Sequence, residues 1–355
     1  MKQFTCIDLF CGAGGLSLGL SKANFNIKIA FDNNEHAVST YNNNFSHKAV
    51  LESVENINSN QVLKSVGLKK GELDLLAGGP PCQGFSIQRR GDDNDSRNTL
   101  VLEYARLLEE LSPKMFIMEN VTGLQTKRGK VFLDEIIERA QKAGYKCHIS
   151  ILNAADFGVP QIRKRIFIVG EKSIGTESYF KFPEKIFEPN NYRTVWNAIK
   201  DLPQPPDNFK DHELYPNHRK ERLSELNRLR ISHVPQGGGR ENIPEELRLE
   251  CHKVSVEKAG HRYVYGRLEA DKPSGTITAR FDSFTRGKFA HPFENRSITL
   301  REGARLQTFP DDFVFLGSKV EVAKQIGNAV PPVLAEHLGH ALNLAISKMD
   351  KISMV

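Results

Sequence analysis

Apolar and polar positions alternate along the first 170 residues in two distinct rhythms. Short apolar runs at Phe4 to Phe10, Ile27 to Phe31, Asp74 to Ala77, Met115 to Met118, Cys147 to Leu152 and Ile166 to Val169 predict buried strands. Between them, Leu16 to Ala23, Glu35 to Asn43, Thr99 to Leu111 and Val131 to Ala143 carry apolar residues at helical spacing. This βαβα succession predicts an α/β fold with a mostly parallel sheet covered on both faces. Ligands of such sheets occupy the crevice beyond the strands' carboxyl ends, so chemistry is expected there.

The rhythm breaks near residue 183. Prolines and turn residues cluster (Pro183, Pro189, Asn190, Pro203, Pro205, Pro206, then Gly237 to Gly239), and helical spacing persists only near Glu221 to Arg230. Ordinary helical patterning returns at Ser297 to Phe309 and Val320 to Ile346. Three segments are expected: a catalytic domain over 1–182, an irregular second region over 183–292, and a C-terminal segment over 293–355 that packs back on the first.

Composition narrows the class. The 355 residues suffice for a proper core, and no apolar run approaches the length needed to cross a membrane. The N-terminus enters a strand without a signal peptide's apolar stretch, so a cytoplasmic protein is expected. The cysteines at 6, 11, 82, 147 and 251 form no CxxC pair, which argues against a disulfide framework and against a structural zinc. The formal charge of +6 is compatible with a nucleic-acid partner without establishing one.

Two stretches carry the chemistry. Gly78-Gly79-Pro80-Pro81-Cys82-Gln83-Gly84-Phe85-Ser86 ends the strand at Ala77 abruptly, because prolines can neither donate to a ladder nor continue it. Most lone cysteines beside a turn are structural. Two prolines and two glycines around one thiol make poor core, however, and present Cys82 as a nucleophile on a stiff elbow. Asp8-Leu9-Phe10-Cys11-Gly12-Ala13-Gly14-Gly15-Leu16 joins the first strand to the first helix. Its small residues let the backbone approach a ligand. Asp32 closes the second strand twenty residues after Gly12, where a carboxylate holds ribose hydroxyls. A GxGxxG motif counted from Gly12 would need glycine at Ser17, which disfavours a nicotinamide carrier. Joined to the cysteine elbow, the turn suggests an adenosyl methyl donor.

With Glu119-Asn120-Val121 added, the chain resembles the DNA (cytosine-5)-methyltransferases over nearly its full length. The two stretches above are followed in the family's order by Gln161-Ile162-Arg163-Lys164-Arg165, Arg301 to Pro310 and Gln325-Ile326-Gly327-Asn328-Ala329-Val330. The resemblance implies a Rossmann-like core dependent on S-adenosyl-L-methionine, with residues 183–292 as a smaller target recognition domain. It makes Cys82, Glu119, Arg163 and Arg165 catalytic, with Arg165 on the flipped base's carbonyl. Phe10, Gly12, Gly14, Leu16, Asp32, Pro80, Leu100, Asn328 and Ala329 would bind the cofactor. Gln83, Ser86, Arg89, Arg90, Arg97, Gln161, Gly237 and Gly238 would touch double-stranded DNA, and no metal is implied. Where the family has an Asp-Ile pair after the third strand, this chain has Ser53-Val54 beside Glu52 and Glu55, so the adenine contact is left unassigned.

The chemistry fits these residue types. Cytosine carbon 5 is a poor nucleophile until a thiolate adds to carbon 6, and a proton or strong hydrogen bond at ring nitrogen 3 lowers that barrier. The target base must leave the duplex stack, and Gln88 to Arg97 reads as a loop closing over the DNA. Arg240, Arg262, Arg267, Arg280 and Arg286 are candidates for base-edge contacts, with phosphate binding the alternative for each. A tRNA cytosine-5 methyltransferase would share fold, donor and thiol, but its relatives carry a Cys-Phe-Thr tripeptide in the second region that is missing here. An inert homologue would be expected to have lost Cys82 or Glu119. The compact chain suits a monomeric bacterial or phage modification enzyme partnered with a restriction endonuclease.

Overall fold

The computed structural model describes residues 3–81, 99–173, 177–250 and 263–353. A seven-stranded sheet is built from β1 (Phe4–Leu9), β2 (Phe25–Asp32), β3 (Ala49–Leu51), β4 (Leu75–Gly78), β5 (Met115–Val121), β6 (Tyr145–Asn153) and β7 (Lys164–Lys172). The strand order is β3-β2-β1-β4-β5-β7-β6. Pairings among β1 to β5 are parallel, while β7 runs antiparallel to both β5 and β6. The sheet is therefore mostly parallel, as the alternation of patterns predicts.

The helices of this part are α1 (Gly15–Lys22), α2 (Glu35–Asn44), α3 (Ser59–Ser65), α4 (Thr99–Leu111) and α5 (Lys127–Lys142). Asn34 and Asn58 cap α2 and α3, their side-chain oxygens accepting from the Ala37 and Gln61 amides at 2.9 and 3.1 Å. β3 and α3 escape the sequence pattern for a physical reason. β3 has three residues, of which Val50 and Leu51 are exposed, and α3 spans barely two turns. The central strands β4 and β5 are buried almost throughout, which explains their unbroken apolar runs. Val101, Tyr104, Leu107 and Leu108 of α4 share one core cluster with Leu9, Leu76, Phe116, Met118 and Ile168.

The chain divides into two compact units, one of residues 1–153, 164–186 and 330–355, the other of 154–163 and 187–329. The last helix, α10 (Pro332–Ser353), belongs to the first unit and lies against α1. A Cβ at Gly19 would sit 2.4 Å from that of Ala335, so only glycine permits this approach.

The second unit contains α6 (Val195–Ile199), α7 (Glu225–Ser232), α8 (Leu300–Leu306), α9 (Lys319–Asn328) and the short pair β8 (Gly266–Arg267) and β9 (Lys288–Ala290). Its loops are tied by backbone turns and by side chains that reach backbone carbonyls. Arg267 is buried and donates to the Ile231, Val234, His291 and Glu294 carbonyls and to Asn295 Oδ1 at 2.6 to 2.8 Å. It knots together the segments around a small core of Ile231, Val234, Ile243, Tyr265 and Phe284. The expectation that Arg267 contacts DNA is therefore corrected, because the carbonyls it binds are interior ones.

Candidate active site

The turn after β1 is conformationally costly. Phe10, Gly12 and Gly14 all take left-handed backbone angles, with φ of 57°, 55° and 98°. For Phe10 that conformation costs about 1–3 kcal/mol, a strain usually kept where close approach to a ligand requires it. Gly12 N donates to Asp32 Oδ2 at 2.9 Å and Asn34 N to Asp32 Oδ1 at 2.8 Å, so the carboxylate at the end of β2 holds the turn in place. A Cβ at Gly12 would meet nothing within 4 Å, so open space lies beside the turn. Leu16 is buried beneath it, and Leu100 is buried at the start of α4.

Under the turn runs a hydrogen-bonded chain that the sequence did not reveal. Ser17 Oγ donates to Asp8 Oδ2 at 2.6 Å, the Tyr41 hydroxyl donates to Ser17 Oγ at 2.8 Å, and His47 Nε2 lies 2.9 Å from that hydroxyl. An acid inside an apolar strand, between Ile7 and Leu9, was the available signal. Asp8 is wholly buried, and its Oδ1 has no partner among the described residues. Burial raises its carboxyl to about 7, with Asp32 adding repulsion and the Ser17 hydrogen bond opposing. Between the ordinary carboxyl range and about pH 7 the folded chain keeps a proton that the unfolded chain has lost. Stability contributed at this position should therefore decline as pH rises through that window. Asp8→Asn should flatten the pH dependence and raise stability relative to wild type above about pH 7. Urea unfolding of both proteins across that range checks it.

The second cluster forms where β4 and β5 end. Gly78 lets β4 close on β1, since a Cβ there would lie 2.8 Å from the Leu9 carbonyl. Gly79 lets the elbow lie along Glu119, since its Cβ would come within 3.3 Å of Glu119 Oε2. Asn120, buried, donates from Nδ2 to the Pro80 carbonyl at 3.1 Å and accepts from the Val121 amide at 2.8 Å. The elbow leading to Cys82 is thus tied to the strand that carries Glu119. Arg165 pairs opposite Val121 in the antiparallel register, on the same face as Glu119 two residues back. From there its Nε reaches Glu119 Oε1 at 3.0 Å. Cys82, Gln83, Ser86, Arg89, Arg90 and Arg97 lie outside the described residues, as does Arg262.

Gly12, Gly14, Asp32, Pro80, Glu119 and Arg165 all belong to the first unit; Arg163, Gln161, Asn328 and Ala329 belong to the second. Gln161 is fully buried. Its amide nitrogen donates to Gln307 Oε1 at 2.7 Å, and its oxygen accepts from the Ile277 amide at 2.8 Å. Arg163 is likewise buried and donates to the Ile277 carbonyl at 3.2 Å. In this structure both are interior braces of the second unit. Asn328 is exposed at the last turn of α9, and the carbonyl of Ala329 accepts from Gln307 Nε2 at 3.4 Å. Gly237 takes φ 81°, and the turn it shares with Gly238 is clasped by backbone hydrogen bonds in both directions with Arg267 at 3.1 Å. Arg240 is buried, whereas Arg286 is exposed and Arg280 pairs with Asp282 at 3.1 Å.

Comparison with known proteins bears on the whole chain. It is 39% identical over 344 residues to the Type II methyltransferase M1.HphI of Haemophilus parahaemolyticus, covering 96% of this chain and 87% of that relative. It is 37% identical to the Type II methyltransferase M.BbvI of Brevibacillus brevis, covering 92% of this chain and 87% of that one. Among solved structures, a prophage-encoded DNA modification methyltransferase of E. coli superposes with a TM-score of 0.74 at 28% identity, covering 96% of this chain and 99% of that one. The S. pombe Dnmt2 methyltransferase superposes at 0.60 with 17% identity over 98% of this chain and 100% of its own, a likeness of fold alone. The relatives at high identity being Type II methyltransferases, the tRNA alternative is not favoured. The family model of C-5 cytosine-specific DNA methylases matches residues 4–343, nearly the whole chain, and the protein belongs to that family.

Proposed function

We propose that this methyltransferase modifies carbon 5 of a cytosine swung out of a specific duplex sequence, through a transient bond from Cys82 Sγ to ring carbon 6. The observation that carries the mechanism is the Asn120 hydrogen bond to the Pro80 carbonyl, with Gly79 pressed against Glu119. It supports a thiol and a carboxyl converging on one base. Cys82 adds as thiolate to carbon 6, and the ring's double-bond electrons move to carbon 5. Glu119 supplies a proton or strong hydrogen bond at nitrogen 3 as charge develops there. Arg165 orients Glu119 and faces the base's carbonyl oxygen. Once carbon 5 is methylated, its proton leaves to a base, the carbon–sulfur bond breaks so that Cys82 departs as thiolate, and nitrogen 3 returns its proton to Glu119.

S-adenosyl-L-methionine is proposed as the donor, supplying an electrophilic methyl carbon on a sulfonium. The residues fit it: open space lies beside Gly12, and the Gly12 and Asn34 amides hold the Asp32 carboxylate, the group proposed to meet the ribose, against that turn. Phe10, Gly14, Leu16, Pro80 and Leu100 would line the same crevice. Arg89, Arg90 and Arg97 are proposed to hold phosphates, which positions DNA without selecting sequence. The chain is proposed to act as a monomer in a bacterial or phage-infected cytoplasm and, by analogy with the Type II relatives, to protect DNA from a cognate restriction endonuclease.

The test uses duplex DNA carrying 5-fluorocytosine at the methylated site, located by sequencing DNA from a host that expresses the chain. Fluorine blocks the final loss of a proton, so a donor-dependent covalent complex that survives denaturation should accumulate, with the bond mapping to Cys82. Turnover without any trapped complex would rule out thiol addition.

A further inference from the structure

Among the described residues of the first unit, one cation does more than its exposure suggests. Arg106 lies on α4, about a quarter exposed, yet its guanidinium is committed in every direction. Nε donates to Glu103 Oε2 at 2.7 Å, and Nη1 to Glu110 Oε1 and Oε2 at 3.1 and 3.0 Å. The remaining hydrogen bonds leave the helix. Nη2 donates to the Val54 carbonyl at 3.0 Å, and both Nη atoms reach the Ile57 carbonyl at 3.3 and 3.4 Å. Glu103, Arg106 and Glu110 share one stripe of the helix, and the two carboxylates aim the planar fork at those carbonyls.

The turn so held follows β3. Glu52 N donates to the Asp32 carbonyl at 3.0 Å, and Glu52 Oε1 accepts from Ser53 N and Asn56 Nδ2 at 2.9 and 2.8 Å. Val54 and Ile57 bury their side chains in the same core cluster as Leu100. An unbroken chain of bonds therefore runs from the Asp32 backbone through residues 52–57 to Arg106. At the other end of its helix, α4 begins at Thr99, directly after the segment 82–98 that carries Cys82. Crevices at the carboxyl ends of parallel strands are walled by such turns and helix starts.

We infer that Arg106 is a positioning residue for the methyl donor, fixing the 52–57 turn against α4 so that the Asp32 side of the crevice keeps its binding shape. The inference rests on the reading of that crevice as the donor site. Arg106 touches neither donor nor base, so its loss should act on binding and spare the chemistry.

Arg106→Gln removes the charge and the fork. The dissociation constant for S-adenosyl-L-methionine, measured by calorimetry without DNA, should rise about tenfold, the size expected when hydrogen bonds from a charged donor are lost. KM for the donor should rise with it, while kcat at saturating donor stays within about twofold of wild type, the mark of lost uniform binding. Arg106→Lys keeps both ion pairs but cannot span two carbonyls, and should fall between. Wild-type donor affinity in both variants, with only the melting temperature lowered, would overturn the inference and leave the donor site standing. If Arg106→Gln fails to fold, Arg106→Lys decides by the same measurement. Failure of the wild-type protein to bind S-adenosyl-L-methionine would overturn the donor site and the inference together.

Discussion

Cys82→Ser should lower methyl transfer on the order of 10⁴-fold or more while thermal stability and donor binding stay close to wild type. The reaction needs a nucleophile ionised near neutral pH, which a serine hydroxyl is not. Among the described residues, the backbone leading to Cys82 is held by other contacts. The elbow before it is held by the Leu9 carbonyl packed on Gly78 and by Asn120 on Pro80. Transfer of labelled methyl to DNA is the measurement, and a serine variant within about tenfold of wild type would sink the thiol mechanism. The same variant should form no covalent complex with 5-fluorocytosine DNA.

Glu119→Gln should cost about 10²- to 10⁴-fold in the single-turnover rate, the usual weight of a positioned general acid. The amide keeps the carboxylate's shape, and its oxygen can still accept from Arg165 Nε, now at 3.0 Å from Glu119 Oε1. What it cannot do is pass a proton to ring nitrogen 3. Donor affinity should therefore be unchanged, which separates this effect from that of Arg106. A loss of less than about tenfold would remove Glu119 from the acid role.

Much of this site is legible in the chain itself. Cys82 and Pro80 stand out because prolines interrupt a strand, and Gly12 and Gly14 because a strand turns sharply into a helix. The resemblance to the family supplied the role of Arg165. Other features were silent in the chain. Asp8 reads as one polar residue within an apolar strand, and its burial beside Ser17 and Tyr41 depends on α1 and α2 folding over β1. Arg267 reads in the chain as a candidate for DNA contact, since charged residues usually lie at the surface. It is buried because the irregular second unit satisfies its backbone through that guanidinium.

The direction of β7 shows where pattern ends. An apolar run at Ile166 to Val169 says strand and nothing about orientation. Had β7 run parallel to β5, Arg165 at its start would sit at the opposite edge of the sheet from Glu119. Ten residues without a crossover helix separate Asn153 from Lys164, and the strands they join pair antiparallel.

Local sequence thus determined the alternation of strands and helices, the stiff approach to the thiol and the glycine turn, because each follows from steric limits within a few residues. Which side chains meet was decided by tertiary structure alone. The ion pair of Glu119 with Arg165 and the clasp of Arg106 on the 52–57 turn depend on strand direction and helix packing, which are set by burial summed over the whole sheet.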